Sequence, residues 1–389
     1  MGERQIVTVD RVAAGGDGIG HLADGRIVFV EGALPGEQVV ADVHTSKRDF
    51  AKASTLEVAV ASPDRVEPPC PARAAGCGGC PWQHVSPGAQ LRLKAEIVAD
   101  ALRRTAKLPA AQVAVGAAVA PWAYRTTVRV AAGAGGRVGF RGSRSHQVVL
   151  PEACPITHPV LSELLPTLSV RGADELTLRV SAATREITAL PSPSTGVVRG
   201  LPEGARCGPD ATVTEEVAGH QLRVSAASFF QSGPAAAELL VQMVRDACGA
   251  ARGSGPLLDA YGGVGLFAAT LATDAHAIVV ESSASACADA RVNLGARAEV
   301  HCVPFERWPA VEVPLVVADP ARAGLGAGGA AVVAATNASR VVLVSCDPVA
   351  MARDTALLGT HGYRHEGSLV LDLFPQTHHA EVVTTFTRG

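Results

Sequence analysis

The 389-residue chain predicts a three-part α/β protein: a small β-barrel, a mostly antiparallel β region, and a doubly wound α/β domain at the C-terminal end. Three observations predict this. From about residue 218 the apolar strands GPLLDAY, AHAIVVE, PLVVADP and RVVLVSC alternate with Ala-rich helical stretches, the pattern of parallel βαβ units. Up to residue 62 the short runs IVTVDRV, RIVFVEG and QVVADVH are punctuated by turns at Gly15-Gly16-Asp17-Gly18, Gly25 and Gly36, which spells a barrel. Between them, over about 124–217, runs such as TTVRVAAG, RVGFRG, HQVVL and LTLRVSA read as antiparallel strands. The expected divisions are 1–62, 63–217 and 218–389, with a proline-rich connector over 63–71 closing the first. Within the second, residues 90–107 carry Leu93, Ile97, Ala101 and Leu102 at helical spacing with basic residues on the other face, so an amphipathic helix is expected there, packing on the C-terminal domain.

Charge and composition narrow the classes. A net charge of -3 excludes a surface that is basic overall but leaves room for a local basic stripe, so it neither supports nor excludes RNA. Nine cysteines, odd in number and unevenly placed, together with a charged start (Met1-Gly2-Glu3-Arg4) and no apolar stretch behind it, point to a reducing, cytoplasmic setting. The uncharged run over 323–339 is rich in Gly and Ala and lacks the transfer free energy to span a bilayer, so no membrane segment is expected.

Two constellations carry chemistry. Cys70, Cys77 and Cys80 form a C-x6-C-x2-C arrangement, with Cys154 far downstream. Four thiolates can wrap a metal centre, and Gly78-Gly79 lets the chain turn between two ligands of the same centre. Soft thiolates select zinc or iron-sulfur, and spacing alone does not separate the two. In Leu257-Leu258-Asp259-Ala260-Tyr261-Gly262-Gly263-Val264-Gly265 an acid ends a buried strand before a glycine turn, and Glu281 closes the next strand, where a carboxylate can accept both ribose hydroxyls of a nucleoside. This D-x-x-x-G-x-G form suits S-adenosylmethionine better than a dinucleotide.

Ser345-Cys346-Asp347-Pro348, at the end of the strand VVLV, resembles the C-terminal signature of RNA 5-methyluridine methyltransferases, which are class I S-adenosylmethionine-dependent enzymes. Asp319-Pro320-Ala321-Arg322-Ala323-Gly324-Leu325 upstream and Phe374-Pro375-Gln376-Thr377-His378-His379-Ala380-Glu381 downstream complete the resemblance. The first 62 residues, with Lys47, Arg48 and Lys52, resemble a TRAM domain, an OB-like RNA-binding barrel. The segment CPARAAGCGGCPWQH is similar to the [4Fe-4S] segment of many family members, with Cys154 as the remote fourth ligand. The resemblance implies a Rossmann-like catalytic domain that methylates C5 of a uridine in rRNA or tRNA. It also implies roles: Cys346 adds to C6, Glu381 removes the C5 proton, Gln231, Tyr261, Gly263, Gly265, Glu281 and Asp319 hold the cofactor, and Cys70, Cys77, Cys80 and Cys154 hold the cluster. Cytoplasmic work as a monomer is expected.

Covalent addition has a physical reason. C5 of uracil is a poor nucleophile, and a thiolate added at C6 turns it into an enolate-like carbon that can take a methyl group. The target base must leave its stack to reach such a pocket. The chain departs from the family at Gly262 where Cys is common, Ser232-Gly233 where Asn follows the glutamine, Ala321 for Pro, and Asp347 for Asn. Asp347 adds a negative charge next to Cys346 in the chain; if that charge lies near the sulfur it raises the thiol pKa and opposes activation. The competing reading is an RNA-binding protein with an inactive methyltransferase domain. The adjacent His378 and His379, read as part of a strand, are expected on opposite faces, without a shared metal. Arg322 either steers phosphate or caps the turn that follows Asp319-Pro320.

Overall fold

A computed structural model describes residues 3–272 and 276–388; Met1 and Gly2, on which the reading of the N-terminus partly rests, lie outside them. The first five strands are β1 (Glu3–Val12), β2 (Gly18–His21), β3 (Ile27–Glu31), β4 (Gln38–Ser46) and β5 (Phe50–Val60). They close a barrel in the order β1-β2-β3-β5-β4. Val7, Val9, Val28, Val30, Val39 and Ala41 alternate into its core. Arg65 in the connector ties itself to the barrel, donating from Nη2 to Glu37 Oε2 at 2.7 Å and to the Gly32 carbonyl.

The middle region forms a six-stranded sheet in the order Arg206–Cys207, Ile187–Ser192, Glu175–Val180, Thr127–Ala132, Val138–Arg141, Val148–Val149. Its pairings are antiparallel except for the outermost, Arg206–Cys207. Two elements of this stretch belong structurally elsewhere. Helix α1 (Pro87–Ala101) continues as a π-helical turn, Leu102–Ala106, and stops at Lys107, whose φ of 58° is left-handed. Strand β6 (Val113–Ala118) pairs in parallel with a strand of the C-terminal sheet. A hairpin of β7 (Thr212–Val217) and β8 (His220–Ser225) then leads into the last domain.

That domain carries α2 (Pro234–Cys248), β9 (Leu257–Ala260), α3 (Leu266–Leu271), β10 (Ala277–Glu281), α4 (Ala284–Leu294), β11 (Ala298–Cys302), β12 (Leu315–Ala318), α5 (Gly326–Ala335), β13 (Arg340–Ser345), α6 (Pro348–Thr360), β14 (Tyr363–Asp372) and β15 (Glu381–Arg388). The sheet runs β11-β10-β9-β12-β13-β15-β14-β6. The first five are mutually parallel, and β15 runs antiparallel to both its neighbours. Both faces are covered, which explains the continuous apolar runs in the sequence. Along β12 and β13, Leu315, Val317, Val342 and Val344 pack on one side with α2 and α3. Val316, Ala318, Val341 and Leu343 pack on the other, against Val333 and Leu358. Each fully buried aliphatic side chain contributes about 1.5–3 kcal/mol, so the sheet is a rigid platform for what lies at its edge. No helix among the described residues is long and apolar enough to cross a membrane.

Candidate active site and cysteine cavity

The strand order reverses at β9, flanked by β10 on one side and β12 on the other. In open α/β sheets ligands bind outside the carboxyl ends of the strands at such a switch point. Tyr261–Gly265 leave β9 there, Glu281 ends β10, Asp319 follows β12 and Cys346 follows β13. Glu381 begins the antiparallel β15, which brings it to the same end.

The glycine turn is built to its neighbours. Gly263 and Gly265 have φ of 55° and 86°, the left-handed region that glycine adopts without penalty. A Cβ at Gly262 would meet Val279 Cγ1 at 2.7 Å, so the turn lies close on β10. A Cβ at Gly263 would meet nothing within 4 Å, so the turn opens outward at that point. Asp259 is fully buried and accepts from the Ala268 amide at 2.9 Å, capping α3 from the strand before it, while its Oδ1 has no partner. Burial pushes its carboxyl well above the ordinary range, with Asp319 and Glu281 adding to the effect. Glu281 accepts from the amides of Gly263 (3.0 Å), Ser282 (2.7 Å) and Ser283 (2.7 Å), so it pins the glycine turn to the start of α4. Tyr261 packs on Phe305, with ring centroids 5.0 Å apart, and donates its hydroxyl to Glu306 at 2.8 Å. The turn thus gathers the acidic groups Asp259, Glu281 and Glu306 around an outward-facing Gly263, a setting suited to a ligand that brings positive charge.

On the other side of the switch point, Cys346 is half-buried and its thiol is pushed up to about 11, first by burial and then by Glu381 and Asp319, with Arg322 opposing. Asp347 is not among these influences. Its carboxylate turns away to accept from the amides of Val349 (3.0 Å) and Ala350 (2.8 Å), capping α6. The expectation that a nearby Asp347 raises the thiol is therefore corrected: the helix N-terminus takes that charge, and the charges felt by the sulfur come from Glu381 and Asp319. Burial raises the Asp319 carboxyl to about 7, opposed by Gln231, which donates from Nε2 at 3.3 Å. Glu381 is buried, and burial together with Asp319 holds its carboxyl well above the usual range. A half-buried thiol, a buried carboxyl and an acid held by a glutamine amide thus lie at one end of the sheet.

The loop between β14 and β15 corrects a second expectation. His378 and His379 lie in a turn rather than a strand, and their ring centroids are 4.5 Å apart. His379 stands 2.9 Å from Arg322 Nη2 through Nε2, and burial, His378 and Arg322 push it down to about 3, so it stays neutral. Arg322 is thereby joined to the loop that precedes Glu381. Sequence reasoning also missed two contributors. Lys94 is fully buried, against the expectation that the basic residues of α1 face away from its core, and its Nζ lies 2.6 Å from Asp372 Oδ1. Its spacing from Leu93 and Ile97 put it at the edge of the apolar face, which was the available signal. Phe229, two residues before Gln231 in the chain, is 70% exposed. An exposed aromatic there offers a stacking surface to a base.

The cysteine segment forms a second centre. Cys70, Cys77, Cys80 and Cys154 all line one cavity of about 450 Å³. Burial, with the neighbouring thiols adding, pushes Cys80 up to about 12 and also raises Cys77. A Cβ at Gly78 would sit 2.9 Å from Ser143 Cα, so glycine is what lets the 142–145 turn close over the segment. Among the described residues no three His, Cys, Asp or Glu side chains close to the distances of a single metal ion. Arg125, Arg129, Arg141 and Arg144 line the same cavity and give it a basic rim.

A profile of the TRAM domain matches residues 1–56. Over its full length the chain is 36% identical to an uncharacterised RNA methyltransferase of Streptomyces avermitilis, covering 98% of each. It is 33% identical to a 23S rRNA (uracil-C5) methyltransferase of Methylococcus capsulatus, covering 98% of this chain and 96% of that one. The chain belongs to the S-adenosylmethionine-dependent RNA uracil-C5 methyltransferase family. Its fold is that of the tRNA (uracil-54, C5)-methyltransferase of Pyrococcus abyssi, a structure in complex with S-adenosyl-L-homocysteine. The TM-score is 0.72 over 99% of this chain and 100% of that one, at 22% identity. Family membership accounts for the TRAM barrel, the Rossmann-like sheet and the crowded switch point together.

Proposed function

We propose that this protein methylates C5 of a uridine in RNA through a transient bond between Cys346 and C6, with Glu381 as the base. One observation carries the reading: Asp319 follows β12, Cys346 follows β13, and the pairing of Ser345 with Val382 brings Glu381 to the same end of the sheet, where Gln231 donates to Asp319 at 3.3 Å. Addition of the thiolate at C6 places an electron pair on C5, and Asp319, which accepts from Gln231 at 3.3 Å, would hydrogen-bond the uracil edge as that charge develops. S-adenosylmethionine supplies the methyl group, and Gln231, Tyr261, Gly263, Gly265, Glu281 and Asp319 are the residues that would hold it. Glu381 then takes the C5 proton, the C5–C6 double bond re-forms and the Cys346 sulfur leaves, so atoms and charge balance. Gathering raised carboxyls and a raised thiol also defers their ionisation until positively charged groups arrive.

The relative named for an rRNA substrate matches this chain over nearly its whole length, so 23S rRNA is the RNA to try first. Mapping 5-methyluridine in rRNA and tRNA from cells with and without the protein tests the reading. A 5-methyluridine lost without the protein, restored by the wild type and not by Cys346→Ala, is the expected result; an unchanged map overturns it.

For the cysteine cavity the same proposal includes a [4Fe-4S] cluster on Cys70, Cys77, Cys80 and Cys154. What supports it is that all four cysteines line one cavity, whose one carboxylate, Glu175, is engaged by Arg141 at 3.0 Å, and a cubane spreads its thiolates wider than one ion does. Its work would be to tie the 70–80 segment to the loop at Cys154, because methyl transfer has no electron-transfer step. Iron, sulfide and a visible absorption band in protein purified without oxygen are expected; stoichiometric zinc would overturn this part.

A further inference from the structure

Gln376 lies five residues before Glu381, in the loop between β14 and β15, and has a φ of 69°. That is an unusual backbone for a glutamine, and such strain persists only where the surroundings over-determine it. Here they do. Its amide donates to Gln90 Oε1 at 2.7 Å, its carbonyl accepts from the Trp82 amide at 3.0 Å, and its side-chain oxygen accepts from Gln90 Nε2 at 3.2 Å. Gln90 and Gln376 are both buried, and Gln90 Nε2 also donates to the Val85 carbonyl at 2.9 Å. Every one of these partners lies in residues 82–90, almost three hundred positions away in the chain. The loop's other holds are single contacts: Tyr124, Ser232 and Lys94 each donate to one carbonyl, those of Pro375, Leu373 and Phe374, and Arg322 meets His379.

We propose that Gln90 is a positioning residue for the last step of the reaction, latching the Gln376 turn so that Glu381 is delivered to the C5 proton. The proposal rests on the reading of Cys346 as nucleophile and Glu381 as base. Cys346 follows β13, which is held by main-chain pairing on both sides and is linked to this loop only indirectly, through Arg322 and His379, whereas Glu381 is the first residue after the loop. A loosened latch therefore spares formation of the Cys346–C6 bond and slows its breakage, because the proton stays on C5 and the sulfur cannot leave.

The experiment uses the full-length holoprotein and a 23S rRNA fragment that the wild type methylates. Gln90→Ala is expected to lower kcat on the order of 100-fold, the effect of a displacement of about 1 Å at a reacting group, with KM for RNA within about threefold. Its signature is a covalent protein–RNA species that accumulates on ordinary RNA and survives denaturation. Gln376→Ala keeps the backbone partners and removes only the side-chain link, so a smaller loss with the same accumulation is expected; it serves if Gln90→Ala folds poorly. Wild-type turnover in both variants overturns the proposal. So does a parallel fall in adduct formation and turnover, which is what general loosening of the fold produces. Wild-type protein on 5-fluorouridine RNA separates the two levels: no adduct there sinks the nucleophile reading itself, whereas an adduct there without accumulation in the variants sinks only the latch.

Discussion

At the scale of single residues the site is a problem in deprotonation. In the proposed mechanism Cys346 and Glu381 both act without their protons, and both are pushed upward by burial and by carboxyls nearby, the thiol to about 11. The sign is unambiguous: a raised acid is more protonated at neutral pH, so the active fraction of free enzyme grows as pH rises. The expected kcat/KM for RNA climbs from pH 6 to pH 9, approaching tenfold per unit where one group controls it, with no falling limb in that window. A bell centred near neutrality would contradict the assignment. Asp347→Asn should leave the profile in place, because Asn caps a helix as well as Asp and the carboxylate it replaces faces the amides of α6 rather than the sulfur. Sequence showed which residues to watch here and misjudged one orientation. Adjacency in the chain suggested that Asp347 and Cys346 share an environment, and the strand-to-helix turn between them sends their side chains in different directions.

At the scale of elements, β9 and its glycine turn decide how the cofactor end is built. This chain carries Gly at position 262, where a Cβ would press on Val279 Cγ1 of β10 at 2.7 Å and on the Asp259 carbonyl of β9 at 3.0 Å. Gly262→Ala is expected to cost about 1–3 kcal/mol of stability through that overpacking and to weaken S-adenosylmethionine binding, because the displaced turn is the one whose Gly263 amide is pinned by Glu281. Thermal denaturation and calorimetric titration check the two effects; an unchanged midpoint and affinity would mean that the turn has slack. The α/β alternation was legible because buried parallel strands leave continuous apolar runs. The loop before β15 was not, because its conformation comes from the partners that hold it and not from its own residues. Reading His378 and His379 as strand residues followed from their apolar and β-branched neighbours downstream, and the structure starts the strand only at Glu381.

At the scale of the whole molecule, the three parts meet around the loop that precedes Glu381. The barrel turn at Gly16 accepts from the Trp82 indole at 3.2 Å, and a Cβ there would press on His378. The α1 helix reaches across through Lys94, whose Nζ pairs with Asp372 at 2.6 Å with both side chains buried. Removing one partner strands a buried charge, so Lys94→Ala is expected to cost about 3–5 kcal/mol in urea denaturation, and Lys94→Met with Asp372→Leu far less. Equal costs for the single and double variants would show that the pair is not a buried ion pair in solution. No sequence pattern foretold this pairing, since it joins positions 278 apart and a lysine near an apolar stripe most often reaches solvent. Strand β6 was illegible for a related reason: a short edge strand is defined by the sheet it joins.

The most direct measurement is to incubate the holoprotein with S-adenosylmethionine and a 5-fluorouridine-substituted 23S rRNA fragment, denature, digest, and sequence the cross-linked peptide by mass spectrometry. Fluorine at C5 cannot leave as a proton does, so the adduct should be stranded. A uridine-derived mass on Cys346, absent in Cys346→Ala, is the expected result. A methylated RNA with no protein-bound nucleotide, or a nucleotide on another residue, would contradict the account.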